Sequence, residues 1–170
     1  MSEVLAGFEK LAGAKESLAR TMGAAMGVEV RDEAQERAPV LKPGDLGYDD
    51  QQEGLLRDAI YVAYDDQRAL LTPDSYRYTV SWNSRKAPHG HLVEFGFEMP
   101  YVAVQGEDGR WFTPIPERKS KGTQEGIPRK DGPLQVEARP FLGPAFDTKQ
   151  PTLMRVAEEA GARRLKELLG

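Results

Sequence analysis

Apolar residues recur at helical spacing through the first part of the chain. They follow one another at intervals of three, four and seven, with charged residues between them, at Val4, Phe8, Leu11, Leu18, Met22, Ala25 and Met26. Such a stripe is typical of an amphipathic helix. Because Pro39 pushes Ala38 out of helical geometry, the pattern predicts a helix over residues 2–37. Gly23 and Gly27 each weaken its middle, so we expect a break there or close contact with a neighbouring backbone.

The periodic pattern then stops. Residues 41–54 concentrate Pro, Gly and Asp and predict a loop. Its acidic residues, Asp45, Asp49, Asp50 and Glu53, raise the question of calcium, but they lack the alternate-position spacing of a Ca²⁺ loop. We therefore favour a solvated loop.

Two β-rich runs follow, at residues 59–66 and 75–83, with a Pro-Asp turn signal between them. In the second run aromatic and β-branched residues alternate with polar ones, which is the pattern of a half-buried strand. The two runs predict a hairpin or a meander. Further on, residues 89–97 (HGHLVEFGF) indicate a short turn-to-helix or edge element, and residues 101–104 and 110–115 indicate another strand–turn–strand.

Residues 116–133 contain almost no large apolar side chain but three Pro and three Gly. Such a segment cannot bury a core, so we predict an exposed arm within residues 104–136. Its basic residues outnumber its acids, and they are Arg118, Lys119, Lys121, Arg129 and Lys130. No aromatic residue lies among them to stack on bases. A solvated loop, a protein contact that orders on assembly and a phosphate contact all stay open, in falling order of preference.

The chain ends in a second helical pattern. Residues 134–138 (LQVEA) indicate a returning strand, and residues 140–146 a compact turn into the last element. From Thr152 onward apolar residues at helical spacing predict a C-terminal helix, with Thr152 as its cap. The order of elements predicts an α+β fold, in which a long N-terminal helix and a C-terminal helix pack on a small antiparallel β-sheet.

Composition narrows the class of protein. A chain of 170 residues fits one domain, and its charge of -4 gives no general drive towards nucleic acid. The absence of cysteine excludes disulfides and thiolate chemistry. We see neither a secretion signal nor a membrane-spanning stretch, and we expect the protein in the cytoplasm unless a particle carries it out.

The strongest candidate for chemistry is the group His89, His91 and Glu94. On a strand an H-x-H pair would point both imidazoles to one face and, with the carboxylate, could hold the metal of a small metal-dependent hydrolase. A further ligand would have to be supplied, and an incidental histidine pair in a surface turn is the interpretation that we favour. The chain has neither a G-x-S-x-G elbow nor a phosphate-binding glycine motif. We predict no enzyme, no cofactor and no metal site.

Four segments carry a resemblance to a known family. Residues 36–40 read E-R-A-P-V at the end of the long helix, and residues 54–60 (GLLRDAI) are similar to a T-G-x-L-R-x-S-I-type stretch. Residues 91–96 contain V-E-F-G, and residues 138–145 (ARPFLGPA) closely match P-R-P-F-L-x-P-A. In this order the motifs resemble those of the neck or tail-component family of siphophage head–tail joining (tail-completion) proteins.

The resemblance implies a structural virion protein of a long-tailed phage. It would form a homo-oligomeric ring, of six copies as a first guess and twelve as a second, in the head–tail connector or at the proximal end of the tail. Its partners would be head-closure or adaptor proteins and tail-terminator or tail-tube proteins. The interface residues that we expect are Phe95, Phe141 and the five bases of the arm, namely Arg118, Lys119, Lys121, Arg129 and Lys130. For Phe141 we favour a place in the protein's own core over an interface, by about two to one.

Overall fold

The computed structural model of the chain describes residues 2–40, 53–65, 75–107, 111–112 and 127–169. The chain divides into two compact units. Unit 1 comprises Met1–Arg37, Ile60–Trp82 and Phe141–Gly170, and unit 2 comprises Ala38–Ala59 and Asn83–Pro140. The single domain expected from the length of the chain stays a prediction.

Unit 1 begins with helix α1, Ser2–Arg37, which is continuous. The break expected in its middle is absent. A Cβ atom on Gly23 would lie 2.7 Å from the ring of Tyr78, and one on Gly27 would lie 2.7 Å from Cγ1 of Val62. The two glycines therefore admit close contact with side chains of the β-hairpin, rather than with a neighbouring backbone.

The predicted hairpin is confirmed. Strand β1, Ile60–Tyr64, pairs antiparallel with β2, Tyr78–Trp82, so that Val62 lies opposite Val80. Val62 and Tyr78 are the side chains that meet the glycines of α1, so the face with the even-numbered residues is the one that packs on the helix. The expected turn at residues 70–75 lies largely outside the described residues.

The last helix is longer than expected. Helix α4, Leu142–Leu169, begins ten residues before Thr152, so the prediction that Thr152 caps it is wrong. Pro144 is tolerated in the first turn because the N–H groups there have no partner within a helix. Pro151 lies inside the helix, and beside it the Thr152 hydroxyl donates a hydrogen bond to the Lys149 carbonyl at 2.9 Å.

α4 runs antiparallel along α1. Near one end Arg37 Nη2 donates to Thr148 Oγ1 at 3.0 Å, and near the other Arg164 Nε donates to Ser17 Oγ at 2.9 Å. The layer between the helices consists mainly of small residues, and the buried ones are Ala14, Ala34, Ala145, Ala157 and Ala160. Among the described residues Phe141 is the large side chain that is fully buried. The buried alanines therefore let the two long helices pack closely.

In its described residues unit 2 contains two short helices and two small strand pairs. The helices are α2, Leu55–Ala59, and α3, Gly90–Phe95. The strands are β3, Phe97–Met99, β4, Val104–Gln105, β5, Trp111–Phe112, and β6, Leu134–Val136. β3 pairs antiparallel with β6, and β4 with β5, which confirms the returning strand and the strand–turn–strand.

The end of the predicted arm is held by the backbone. Val102 N donates to Ile127 O at 2.8 Å, and Arg129 N donates to Pro100 O at 3.0 Å. Residues 127–129 are thus paired with 100–102, and the arm is shorter at this end than composition indicated. Residues 113–126 of the arm and residues 41–52 of the acidic loop lie outside the described residues.

The predicted α+β class is confirmed, with two long helices packed together and small two-stranded antiparallel sheets. None of the helices in the described part of the chain is long and apolar enough to cross a membrane.

Candidate assembly surfaces

An open apolar groove of about 430 Å³ lies in unit 1 between α1, β2 and α4. α1 lines it with Gly23, Met26, Gly27 and Val30. These residues are three or four positions apart, so they form one face of the helix. At the two glycines the side chains of the hairpin pack directly on α1, Tyr78 against Gly23 and Val62 against Gly27.

The other walls come from distant parts of the chain. The segment leading through β2 contributes alternate residues, which therefore share one face, at Tyr76, Tyr78 and Val80. The first half of α4 contributes Leu142, Phe146 and Leu153. Every one of these side chains is aliphatic or aromatic, so the groove suits an apolar occupant and offers no charged group to a ligand.

Two large apolar side chains of α4 are left in solvent. Phe146, which lines the groove, is 47% exposed, and Met154 is 65% exposed. The exposed part of Phe146 adds apolar surface at the groove, and apolar surface at a groove is typical of sites of protein interaction.

Tyr78, which lines the groove, has a second tyrosine ring and an arginine close by. The rings of Tyr64 and Tyr78 lie 5.3 Å apart, and the Arg20 guanidinium lies 4.5 Å from the centre of the Tyr64 ring. Burial raises the pKa of Tyr78, and the nearby Arg20 charge opposes that shift. The phenol therefore stays protonated at neutral pH and is not a nucleophile.

Phe141 is in the core of unit 1. It is fully buried, and its ring meets that of Trp82 edge-on at a centroid distance of 5.9 Å. Nε1 of Trp82 is buried and has no hydrogen-bond partner among the described atoms. Phe141 therefore lies in the protein's own core, which is the place that we favoured for it from the sequence. Its ring is not exposed on the surface of the isolated chain.

Phe95 is the most exposed large apolar side chain among the described residues, at 76%. It ends α3, and Gly96 follows with a φ of +71°, which a glycine adopts without strain. A Cβ atom on Gly96 would lie 2.7 Å from the Val136 carbonyl oxygen. The chain is therefore turned sharply after Phe95 and passes close to β6, which leaves the phenyl ring outside.

Only part of the predicted basic surface can be located. Lys130 is exposed and Arg129 is partly exposed, next to the paired segment that ends the arm. Arg118, Lys119 and Lys121 lie outside the described residues. Whether the five bases and the two phenylalanines make an interface stays a prediction.

The structure does not assemble the histidine site. His89 precedes the first residue of α3 and His91 is its second, so the ring directions differ by roughly 200° instead of sharing one face as on a strand. Burial lowers the pKa of His89, while His91 is exposed with its Nδ1 3.0 Å from the Pro88 carbonyl. Glu94 is buried. In the described part of the chain no three His, Asp or Glu side chains are placed to hold a metal ion.

Sequence reasoning missed the groove. Its signal was present in Leu142 and Phe146, which stand four positions apart as on a helix, but Pro140 and Pro144 favoured a turn there. The three walls come from segments that no local pattern connects.

The model of the family described as "Bacteriophage HK97-gp10, putative tail-component" matches residues 2–96, which is more than half of the chain. The match covers α1, the hairpin and α3, and so includes two of the three walls of the groove. No curated protein and no solved structure gives a significant match.

Proposed function

We propose, because the chain belongs to the HK97-gp10-like family of bacteriophage tail components, that it forms a ring in the head–tail connector or at the proximal end of the tail. Membership makes it a structural protein of the phage tail. The ring, its position and its partners are our proposal.

The observation that carries the ring is the apolar groove of unit 1. Its lining is aliphatic and aromatic, and Phe146 stands half exposed at its side. A groove of this kind contributes little to the stability of one subunit but a great deal to an interface, because filling it buries apolar area of both partners. An interface between two different surfaces of identical subunits builds a closed ring when the rotation from one copy to the next is a whole-number fraction of a full turn.

The neighbours along the phage axis would be a head-closure or adaptor protein on one side and a tail-terminator or tail-tube protein on the other. Six copies stay our first choice and twelve our second. The net charge of -4 fits a ring through which DNA passes without being held.

Native mass spectrometry and negative-stain microscopy of the purified chain over a range of concentrations test the ring. We expect one closed oligomer of defined copy number. A protein that stays monomeric at about 100 µM contradicts the proposal, since interfaces that hold rings have dissociation constants well below that concentration.

A phage that lacks the gene tests the position. We expect filled heads and separate tails in the lysate, and joining after the purified chain is added. If the mutant assembles joined particles, the protein is not needed at the connector and the proposed position is wrong.

A further inference from the structure

We propose that neighbouring copies in the ring join edge to edge through the β-hairpin of unit 1. In this arrangement the outer edge of β2 in one copy pairs with the outer edge of β1 in the next copy. The inference rests on the proposed ring and names the contact that builds it. It is carried by the backbone groups that the hairpin directs away from itself.

The hydrogen bonds of the hairpin show which of its backbone groups point outward. Asp65 N donates to Arg77 O at 2.9 Å, and Asn83 N donates to Ala59 O at 2.9 Å. In an antiparallel pair such bonds recur at every second residue, and the residues between them direct their N–H and C=O groups away from the partner strand. In the register of the hairpin the inward bonds fall on the odd-numbered residues of both strands. The even-numbered residues therefore carry the outward groups.

The outer edge of β2 carries the outward groups of Tyr78, Val80 and Trp82. Within the described part of the chain their outward backbone N–H and C=O groups have no hydrogen-bond partner, and β2 pairs with β1 alone. The apolar groove lies along the same residues, since Tyr78 and Val80 line it. The open edge and the groove therefore belong to one surface of unit 1.

The outer edge of β1 is the complementary half of the contact. Gln35 of α1 donates a side-chain N–H to the Ile60 carbonyl at 3.2 Å, which occupies the first outward carbonyl. The outward backbone groups of Val62 and Tyr64 have no such partner among the described residues. A second copy can therefore supply donors and acceptors at alternate positions, which is the pattern that the edge of β2 presents.

Neither strand carries the features that normally prevent edges from pairing. Natural proteins usually protect an exposed edge with charged side chains, proline or a bulge, because free N–H and C=O groups are a template for a further strand. β1 reads IYVAY and β2 reads YTVSW, with no charged residue and no proline in either strand. Their pairing runs without a bulge. Another strand is therefore the partner that these edges suit.

The pairing agrees with a ring in strand direction. A rotation about the ring axis keeps β1 of every copy pointing the same way along that axis, so β2 of one copy runs antiparallel to β1 of the next. This is the direction of the pairing within the hairpin itself. The edges of β1 and β2 are different surfaces, so the contact is of the kind that builds a ring from identical subunits.

The pairing also agrees with the positions of the helices. Residues that lie opposite each other in two antiparallel strands place their side chains on the same face. The outward groups belong to even-numbered residues in both strands, and the even-numbered Val62 and Tyr78 pack on α1. The joined sheet therefore has the α1 helices of both copies on one side, and no bulge is needed to achieve this.

Amide hydrogen exchange of the natural protein, as dilute monomer and as ring, tests the pairing residue by residue. We expect the amides of Tyr78 and Val80 to exchange at least about tenfold more slowly in the ring. The amides of Thr79 and Ser81 bond within the hairpin, so they are the matched controls and are protected in both states. A new protection at every second residue is the signature of a strand pair, because cover by an unrelated surface would not select alternate residues.

Two proline variants test the two edges separately. Proline has no N–H and is tolerated in an edge strand where that N–H faces solvent, so Val80→Pro removes a donor from β2 and Val62→Pro removes one from β1. Each variant keeps one intact edge. Each alone should fail to form rings at about 100 µM, and an equimolar mixture of the two should form a dimer that cannot grow. Val80→Thr and Val62→Thr, which keep the shape of valine and the N–H, should still form rings.

The outcomes separate the two proposals. If rings form while Tyr78 and Val80 exchange as fast as in the monomer, the edge pairing is wrong and the ring stands. If Val62→Pro alone forms dimers, β2 pairs with itself and the pairing of β1 with β2 is overturned. Protection of the alternate amides already in the monomer would mean that the edge is covered within its own subunit, which also overturns it. If the natural protein never forms an oligomer, both proposals fail. Circular dichroism checks the fold of each variant, and if a proline variant does not fold, the exchange experiment on the natural protein decides.

Discussion

Replacing Phe141 by Ala tests the core of unit 1. The side chain is fully buried and its ring meets Trp82 edge-on at 5.9 Å. Removing a buried Phe typically lowers the free energy of unfolding by about 3–5 kcal/mol, through lost transfer energy and the cavity left behind. Because the neighbouring core residue Ala145 is small and cannot refill the space, we expect the upper half of that range. For a chain of this length a loss of about 4–5 kcal/mol corresponds to roughly 8–20 °C in Tm.

The matched control is Phe146→Ala, the same substitution five residues further along the chain, near the start of α4. Phe146 is 47% exposed, so about half of its transfer energy is at stake, and we expect a loss of about 1–2 kcal/mol. Urea unfolding followed by circular dichroism measures both, and the midpoint should shift with little change in slope. Equal effects of the two substitutions would refute the reasoning. A Phe141→Ala variant that melts like the natural protein yet fails to join heads to tails would make Phe141 an interface anchor instead.

Three further predictions concern α1, α3 and the arm. Gly27→Ala should lower the free energy of unfolding by about 1–3 kcal/mol, because the new Cβ would lie 2.7 Å from a valine of β1. Gly13→Ala, whose new Cβ would have no atom within 4 Å, should raise the free energy of unfolding by up to about 1 kcal/mol, and thermal melts that shift in the same direction for both variants would contradict this. Burial lowers the pKa of His89 in the folded state, so the unfolded chain binds more protons and the free energy of unfolding should fall as the pH drops below about 6.5. His89→Ala should lose less stability than the natural protein between pH 7.5 and 5, and identical stability profiles of the two proteins over this range would contradict the prediction. Replacing residues 117–126 by a Gly-Ser linker of equal length should leave the Tm of the free protein unchanged and lower the yield of joined particles; an undiminished yield would leave the arm without a role in assembly.

The family and the main elements were accessible from the sequence. A stripe at helical spacing and an alternation of period two are local properties, so α1 and the hairpin followed from residues close together in the chain. The motifs at residues 36–40, 54–60 and 91–96 also lie in the part that the family model matches, and the resemblance drawn from them is confirmed.

Local patterns were misleading where a residue type has two uses. Pro144 favoured a compact turn, yet it lies in the first turn of α4. The N–H groups of a first helical turn have no partner within the helix, so proline, which lacks an N–H, is tolerated there. His89 and His91 would share a face on a strand but point apart at the start of α3. In both cases the residues were identified correctly, and the backbone conformation that decides their meaning was not.

The groove was decided by the tertiary structure alone. Its walls come from α1, β2 and α4, and their meeting depends on the antiparallel packing of the two long helices and on the glycines that admit the hairpin. Phe141 and Phe146 are the same residue type five positions apart, but one is fully buried and the other is 47% exposed. Burial is a property of the neighbours that packing brings together, and those neighbours are distant in sequence, so no local pattern could assign one phenylalanine to the core and the other to the surface.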